Sequence, residues 1–245
     1  MEQIKKLFYS RFIWKLPYNL RYYFFKFKQP KGFRQKQALR KIDTKGDHMS
    51  LKGFDDLKCI FVHIPKAAGV SVNKALFGNY GGSHLKLKDY QLIFNKKEFY
   101  KYYKFTFVRN PWDRLVSTYF FLKNGGFHEN DKAWFDDNLS QFEDFEDFVL
   151  NWLNDENSYK WIHFIPQYEF ITLNNKVLVD DIFKLEDINE SIKIISKKLN
   201  IPIELKHENQ NPNRDSKYRE YYTPEMKDIV GLVYKKDIEL FDYQF

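Results

Sequence analysis

Two short apolar runs, each ended by a proline-bearing turn and followed at once by a helical pattern, constrain this chain more than any other feature. The first is Lys58-Cys59-Ile60-Phe61-Val62-His63-Ile64, which stops at Pro65. Its length and its β-branched and aromatic content predict a buried strand. Lys66-Ala67-Ala68-Gly69 then turns the chain, and Val70 to Phe77 reads as a helix stopped near Gly78. The second run is Tyr103 to Val108, followed by Arg109-Asn110-Pro111. Pro111 suits a first helical turn, and Trp112 to Lys123 continues that helix. Val177 to Leu185 predicts a third strand, Ile188 to Leu199 an amphipathic helix, and residues 140–154 a helical stretch of acids and aromatics. Thr223-Pro224-Glu225 opens a last helix that runs to Phe241. Strands alternating with helices predict an α/β fold whose mostly parallel central sheet is flanked by helices.

The charge is unevenly placed. The 245 residues carry 40 Lys+Arg against 33 Asp+Glu, a formal +7. Residues 1–41 hold 12 of the basic residues and one acid, Glu2; the remaining 204 hold 28 basic and 32 acidic side chains. The basic character belongs to an arm, which argues against nucleic acid as the partner of the body. Within the arm, Ile4, Leu7, Phe8 and Phe12 fall near helical spacing among Lys5, Lys6, Arg11 and Lys15. That pattern fits peripheral contact of residues 1–41 with an anionic membrane, and fits equally aromatics packed on the body. Residues 29–50, with Pro30, Gly32 and Gly46, read as a linker. The expected organisation is a basic, aromatic-rich extension and linker over 1–50 and one domain over 51–245. No apolar run is long enough to span a bilayer, and the charged N-terminus has no secretion-signal core. Cys59 is the only cysteine. It allows no intramolecular disulfide and no Cys-based zinc site, and it fits a reducing compartment. The expected location is cytoplasmic, peripheral on the inner face of a membrane.

A strand that breaks into a tight turn and then a helix aims backbone N–H groups and the helix dipole at one point, a geometry that binds phosphate. Lys66 adds a point charge there, Ala67, Ala68 and Gly69 permit close approach, and the Ser71 hydroxyl can donate. A Walker A loop would carry its Lys after the second Gly; here Lys precedes the Gly. That disfavours the main enzymatic rival, a nucleotide kinase-like phosphotransferase. Arg109 stands at the carboxyl end of the second strand, where open α/β sheets bind ligands, and Ser117 follows two helical turns later. The guanidinium fork suits phosphate, although an Arg so close to Asp113 is also a common ion pair. A rival from another class is a non-catalytic protein that holds membrane or nucleic acid with its arm.

FVHIPKAAGVS resembles the 5′-phosphosulfate loop (close to hIPKTAGTS) of sulfotransferases that use 3′-phosphoadenosine 5′-phosphosulfate (PAPS). FTFVRNPWDRLVSTYF resembles their 3′-phosphate segment (close to FVRNPxxRxxSxY). Trp161 to Gln167 is similar to the family's H-x-x-P-Q stretch, Asp181 to Glu186 to its strand ending in Glu, and Tyr221 to Tyr243 to its closing helix. The resemblance covers 58–243 and is nearest to the carbohydrate (glycan) sulfotransferases. It implies a P-loop-like three-layer sandwich. It also implies sulfuryl transfer from PAPS to a carbohydrate hydroxyl by in-line displacement, with PAP as product and no metal. Lys66 and the backbone of Ala67, Ala68, Gly69, Val70 and Ser71 would hold the 5′-phosphosulfate. Arg109 and Ser117 would hold the 3′-phosphate, with Arg214 and Lys217 as further donor contacts. His84, in the segment after the first helix, would be the base, and Lys66 would stabilise the leaving phosphate. His163, Gln167 and Glu186 are the acceptor-side candidates. Val70 departs from the commoner Thr at that position.

Overall fold

In a computed structural model, residues 13–43, 45–205 and 217–245 are described. The arm stripe of Ile4, Leu7, Phe8 and Phe12 lies outside the described residues, as does Arg214. Helix α1 (Tyr18–Lys28) ends at Gln29, because Pro30 cannot continue its hydrogen-bond ladder. Pro30 instead opens α2 (Pro30–Ala38) at the position where a missing N–H costs nothing. The expected linker over 29–50 is therefore helical in its first part. Both helices lie on the body. Tyr18 donates its hydroxyl to the Phe94 carbonyl at 3.0 Å, and the buried Arg21 donates to Gln91. Arg40 grips Asp55 through two 2.7 Å bonds and Glu98 at 3.0 Å, with its guanidinium 4.5 Å from the Phe94 ring centre.

Next come α3 (Lys52–Leu57) and β1 (Cys59–Val62), every residue of which is buried. Helix α4 (Gly69–Phe77) closes on Gly78 in the left-handed conformation, the usual helix stop. Short helices α5 (Leu87–Tyr90) and α6 (Lys96–Lys101) follow; Asn95 caps the second by accepting from Glu98 N. Strand β2 (Tyr103–Val108) leads into α7 (Pro111–Lys123), whose cap Asn110 accepts from Trp112 N at 3.1 Å. Helices α8 (Glu129–Asn138), α9 (Phe145–Asn151) and α10 (Tyr168–Ile171) come after it. The expected third strand is two: β4 (Lys176–Val177) pairs antiparallel with β3 (Thr172–Leu173), while β5 (Asp181–Lys184) joins the main sheet. Helix α11 (Ile188–Leu199) follows, and the last expected helix divides at Tyr234 into α12 (Pro224–Val233) and α13 (Lys235–Phe241).

The main sheet is small and parallel, in the order β1-β2-β5. Cys59 stands opposite Tyr103, and Phe105 opposite Asp181. The result is a mixed α/β fold with a small parallel sheet flanked by helices. One apolar core lies around the sheet, where the Phe61 and Phe105 rings stack at 5.1 Å. A second joins α7, α9 and α12 around Tyr119, Phe148 and Phe164. Both β1 and β2 deliver their carboxyl ends to the same edge of the sheet, so the two turns recognised in the sequence become neighbours.

Arg40, just after α2, ties this end of the extension to the body through Asp55 and Glu98. Replacing it with Met leaves two part-buried carboxylates unpaired and is expected to cost about 2 kcal/mol in urea unfolding. A loss within a few tenths would show that the Arg40 ion pairs contribute little to holding the extension on the body.

Candidate functional site

The turn after β1 is built under strain. Lys66 and Ala68 both hold left-handed backbone, with φ of 64° and 61°. A side-chain-bearing residue pays roughly 1–2 kcal/mol for that conformation. Helix α4 starts directly from Ala68, which supplies no side-chain cap. The amides of its first turn have no acceptor within the helix and point toward the loop. Val70 stands 43% exposed at this end, while Ala67 is buried. Gly69 is required for a steric reason: a Cβ there would run into the His63 ring. Asn73 secures the contact, its Nδ2 donating to the Gly69 carbonyl at 2.9 Å and lying 3.5 Å from His63 Nδ1.

Arg114, which sequence reasoning quoted in a motif without giving it a role, is the centre of the assembly. It is 2% exposed, and its hydrogen-bond acceptors are three backbone carbonyls. Nε donates to Pro65 at 3.0 Å, and Nη2 donates to His163 and to Ile165 at 2.9 Å each. Burial lowers its pKa from the ordinary arginine value. One side chain thus joins the Lys66 loop, α7 and the 163–165 turn.

Arg109 is buried and clamped. Nε and Nη2 each donate to Asp113 at 2.6 Å, and Nη1 donates to the Lys66 carbonyl at 3.2 Å. The ion-pair reading of Arg109 and Asp113 is the one realised. Of the five guanidinium N–H groups, these bonds leave two for a ligand. Ser117 lies half-buried further along α7, and none of the three Arg109 bonds goes to it. Gln167 is fully buried, its Oε1 accepting from Arg109 N at 2.9 Å and its Nε2 donating to the Arg109 carbonyl at 2.8 Å. Its side chain extends the pairing of the β2 end, so Gln167 positions Arg109. Glu186 accepts from Asn110 N at 2.8 Å and from the Tyr243 hydroxyl at 2.9 Å. These bonds place it at a cleft of about 440 Å³ bordered also by Asp113, Lys184 and Arg219. Neither of these two bonds reaches His84. Lys217 is exposed.

The histidines expected on separate grounds meet. The His84 ring lies 4.4 Å from that of His63 and 5.4 Å from that of His163. His163 lies 5.2 Å from Phe121, whose face carries the Lys66 ammonium at 3.8 Å. His84 Nδ1 stands 3.3 Å from the His63 carbonyl. A carbonyl only accepts, so Nδ1 carries the proton and Nε2 keeps its lone pair. Burial, aided by Lys66 and Arg114, lowers the His84 pKa from the usual 6.5 to about 4. Burial and the His84 charge lower that of His163 to about 2. His63 is likewise held neutral by burial. His163 Nδ1 faces Asp131 at 3.8 Å. The arrangement is a neutral imidazole with an available lone pair beside a lysine and an uncapped helix start. Among the described residues no group of three or more His, Cys, Asp or Glu is placed to hold a metal ion.

The sequence pattern of the Sulfotransferase family matches residues 50–244, and the chain belongs to that family. An "Uncharacterized protein" of Archaeoglobus fulgidus is similar to it, 36% identical over 111 residues that cover 45% of this chain and 78% of that protein. No solved structure matches. The family match begins after α1 and α2.

Two outcomes are expected. Gly69→Ala should lower the melting temperature severely, and His63→Ala in the same chain should recover much of the loss. Additive losses would refute the close approach. In an NMR titration the His84 ring should stay neutral as pH falls through 6 and titrate near 4. A midpoint at the ordinary value would mean that water solvates the ring.

Proposed function

We propose that the protein transfers a sulfuryl group from PAPS to a hydroxyl of a carbohydrate. The observation that carries this reading is the His84 tautomer, an Nε2 lone pair held beside Lys66 and the strained loop. The donor, when bound, supplies a sulfuryl group on a phosphate leaving group. The strained turn fits a phosphosulfate because Lys66 brings a cation to a helix start that no side chain caps. Arg109, with its two remaining N–H groups, Ser117 and Lys217 are the residues of this chain proposed for the 3′-phosphate. Arg214 is proposed with them from the sequence alone.

His84 acts as general base. Its Nε2 takes the proton of the acceptor hydroxyl as that oxygen bonds to sulfur, and the resulting imidazolium is stabilised through Nδ1–H on the His63 carbonyl. Lys66 stabilises the charge that gathers on the departing phosphate oxygen. The half-buried edge of His84 is the side open to an acceptor, and His163 borders it. Glu186, on the far cleft, belongs with the donor-side residues in this reading. Asp113 orients Arg109 and reduces its net charge, so that the 3′-phosphate competes with a resident carboxylate. Such a site favours a dianion over weaker anions.

The test is incubation with PAPS and a panel of oligosaccharides, measuring PAP release, with calorimetry for donor binding. Lys66→Ala should lose binding and turnover together. His84→Asn should keep PAPS binding while turnover falls by about 10²-fold or more. Absence of PAPS binding would overturn the donor assignment, and unchanged turnover in His84→Asn would overturn the base. The sign of the pH dependence follows from the depressed pKa. His84 is a base only when neutral, so kcat/KM should fall on acidification with a midpoint near 4. In kcat that limb should move to higher pH, because a bound anion favours the imidazolium.

A further inference from the structure

Outside the family match, α1 presents two apolar faces. Tyr18, Arg21 and Phe25 face the body and are buried. Leu20, Tyr23 and Phe27 recur at helical spacing on another face, exposed by 58%, 51% and 72%. Tyr100 on the neighbouring α6 is 60% exposed. Single exposed apolar residues need no explanation, but a stripe along one helix face, continued onto the next element, does.

The charge around this stripe has one sign. From Ile13 to Ile42 there are nine Lys and Arg and no Asp or Glu. Between α1 and α6 runs a cleft of about 860 Å³, where Lys26, Lys96, Lys97 and Lys101 converge beside Tyr23 and Tyr100. All four lysines are exposed. None forms an ion pair with a carboxylate among the described residues. The one acid of α6, Glu98, is held by Arg40. Tyr23 belongs to both features: it lines the cleft and stacks with Phe27 at 6.4 Å.

We propose that this face binds the surface of an anionic lipid bilayer, with Leu20, Tyr23 and Phe27 entering the headgroup–acyl boundary and the lysine cleft holding lipid phosphates. The commitment to a bilayer rests on the pairing of an aliphatic and aromatic stripe with like-signed lysines. A polyanion in water would use the lysines but would leave Leu20 and Phe27 unburied. Apolar insertion and attraction to anionic headgroups reinforce each other at an interface. The inference is independent of the sulfuryl-transfer reading, because none of these residues belongs to the candidate site.

The test is sedimentation of the full chain with vesicles of phosphatidylcholine alone and with about a third phosphatidylglycerol. Binding should require the anionic lipid and weaken as salt is raised. Leu20→Ser with Phe27→Ser should weaken it about tenfold or more, as should Lys96→Glu with Lys97→Glu and Lys101→Glu. Both variants should keep the wild-type melting temperature, since the substituted side chains are exposed. Phe27→Trp should give a fluorescence that shifts to the blue on anionic vesicles and is quenched by brominated acyl chains. Wild-type vesicle binding by the Leu20/Phe27 variant would overturn the proposal. So would a chain that binds dextran sulfate or RNA but not the anionic vesicles.

Discussion

A guanidinium buried against three carbonyl oxygens is the constraint on which the rest of the site depends. Taking the Arg114 charge out of water costs several kcal/mol, and the Pro65, His163 and Ile165 carbonyls offset it only when all three are in place. The carbonyls have the reciprocal need, since a buried acceptor without a donor is itself costly. The Lys66 loop, α7 and the 163–165 turn therefore order together. From that turn the coupling continues outward. Asp237 on α13 accepts from the amides of Gln167 and Tyr168 at 2.7 and 2.8 Å, and Gln167 in turn pairs with both backbone groups of Arg109. The C-terminal helix is thus tied to the carboxyl end of β2 through two side chains, Asp237 and Gln167.

Much of this frame was legible in the sequence because local rules wrote it. The Tyr103–Val108 strand, the Ile188–Leu199 helix, the Gly78 stop and the Pro111 and Pro224 starts are where apolar pattern and capping chemistry place them. Beside the division of the last helix at Tyr234, two departures have equally local reasons. Pro30, read as a breaker, is also the best residue to begin a helix. Val177–Leu185, read as one strand, is divided because the chain leaves a small hairpin before it reaches the main sheet.

The candidate site was legible in its parts but not in its connections. Lys66, Arg109 and His84 could be named because each follows a recognisable strand or motif. That Gln167 serves the Arg109 peptide, and Glu186 the Asn110 amide and Tyr243, depends on contacts across 57 and more positions of sequence. Pattern carries no such information. Arg114 had one available signal, its place one turn beyond Arg109 on a mostly buried helix. A charged residue there must find partners, but nothing in the order of residues says which. The neutral histidines have the same origin: each owes its low pKa to neighbours from other elements.

The contact between Gly69 and His63 gives the chain a history as well as a shape. The hydrogen that stands in place of a Cβ at Gly69 is the only group that leaves room for the imidazole beneath it. Residue 69 is not free to vary first. A lineage that enlarges residue 69 must already have shrunk residue 63, and one that shrinks residue 63 opens a void beneath the phosphate-type turn. Substitution at the two sites is therefore ordered in time, and descendants of this protein are expected to change residue 63 before residue 69.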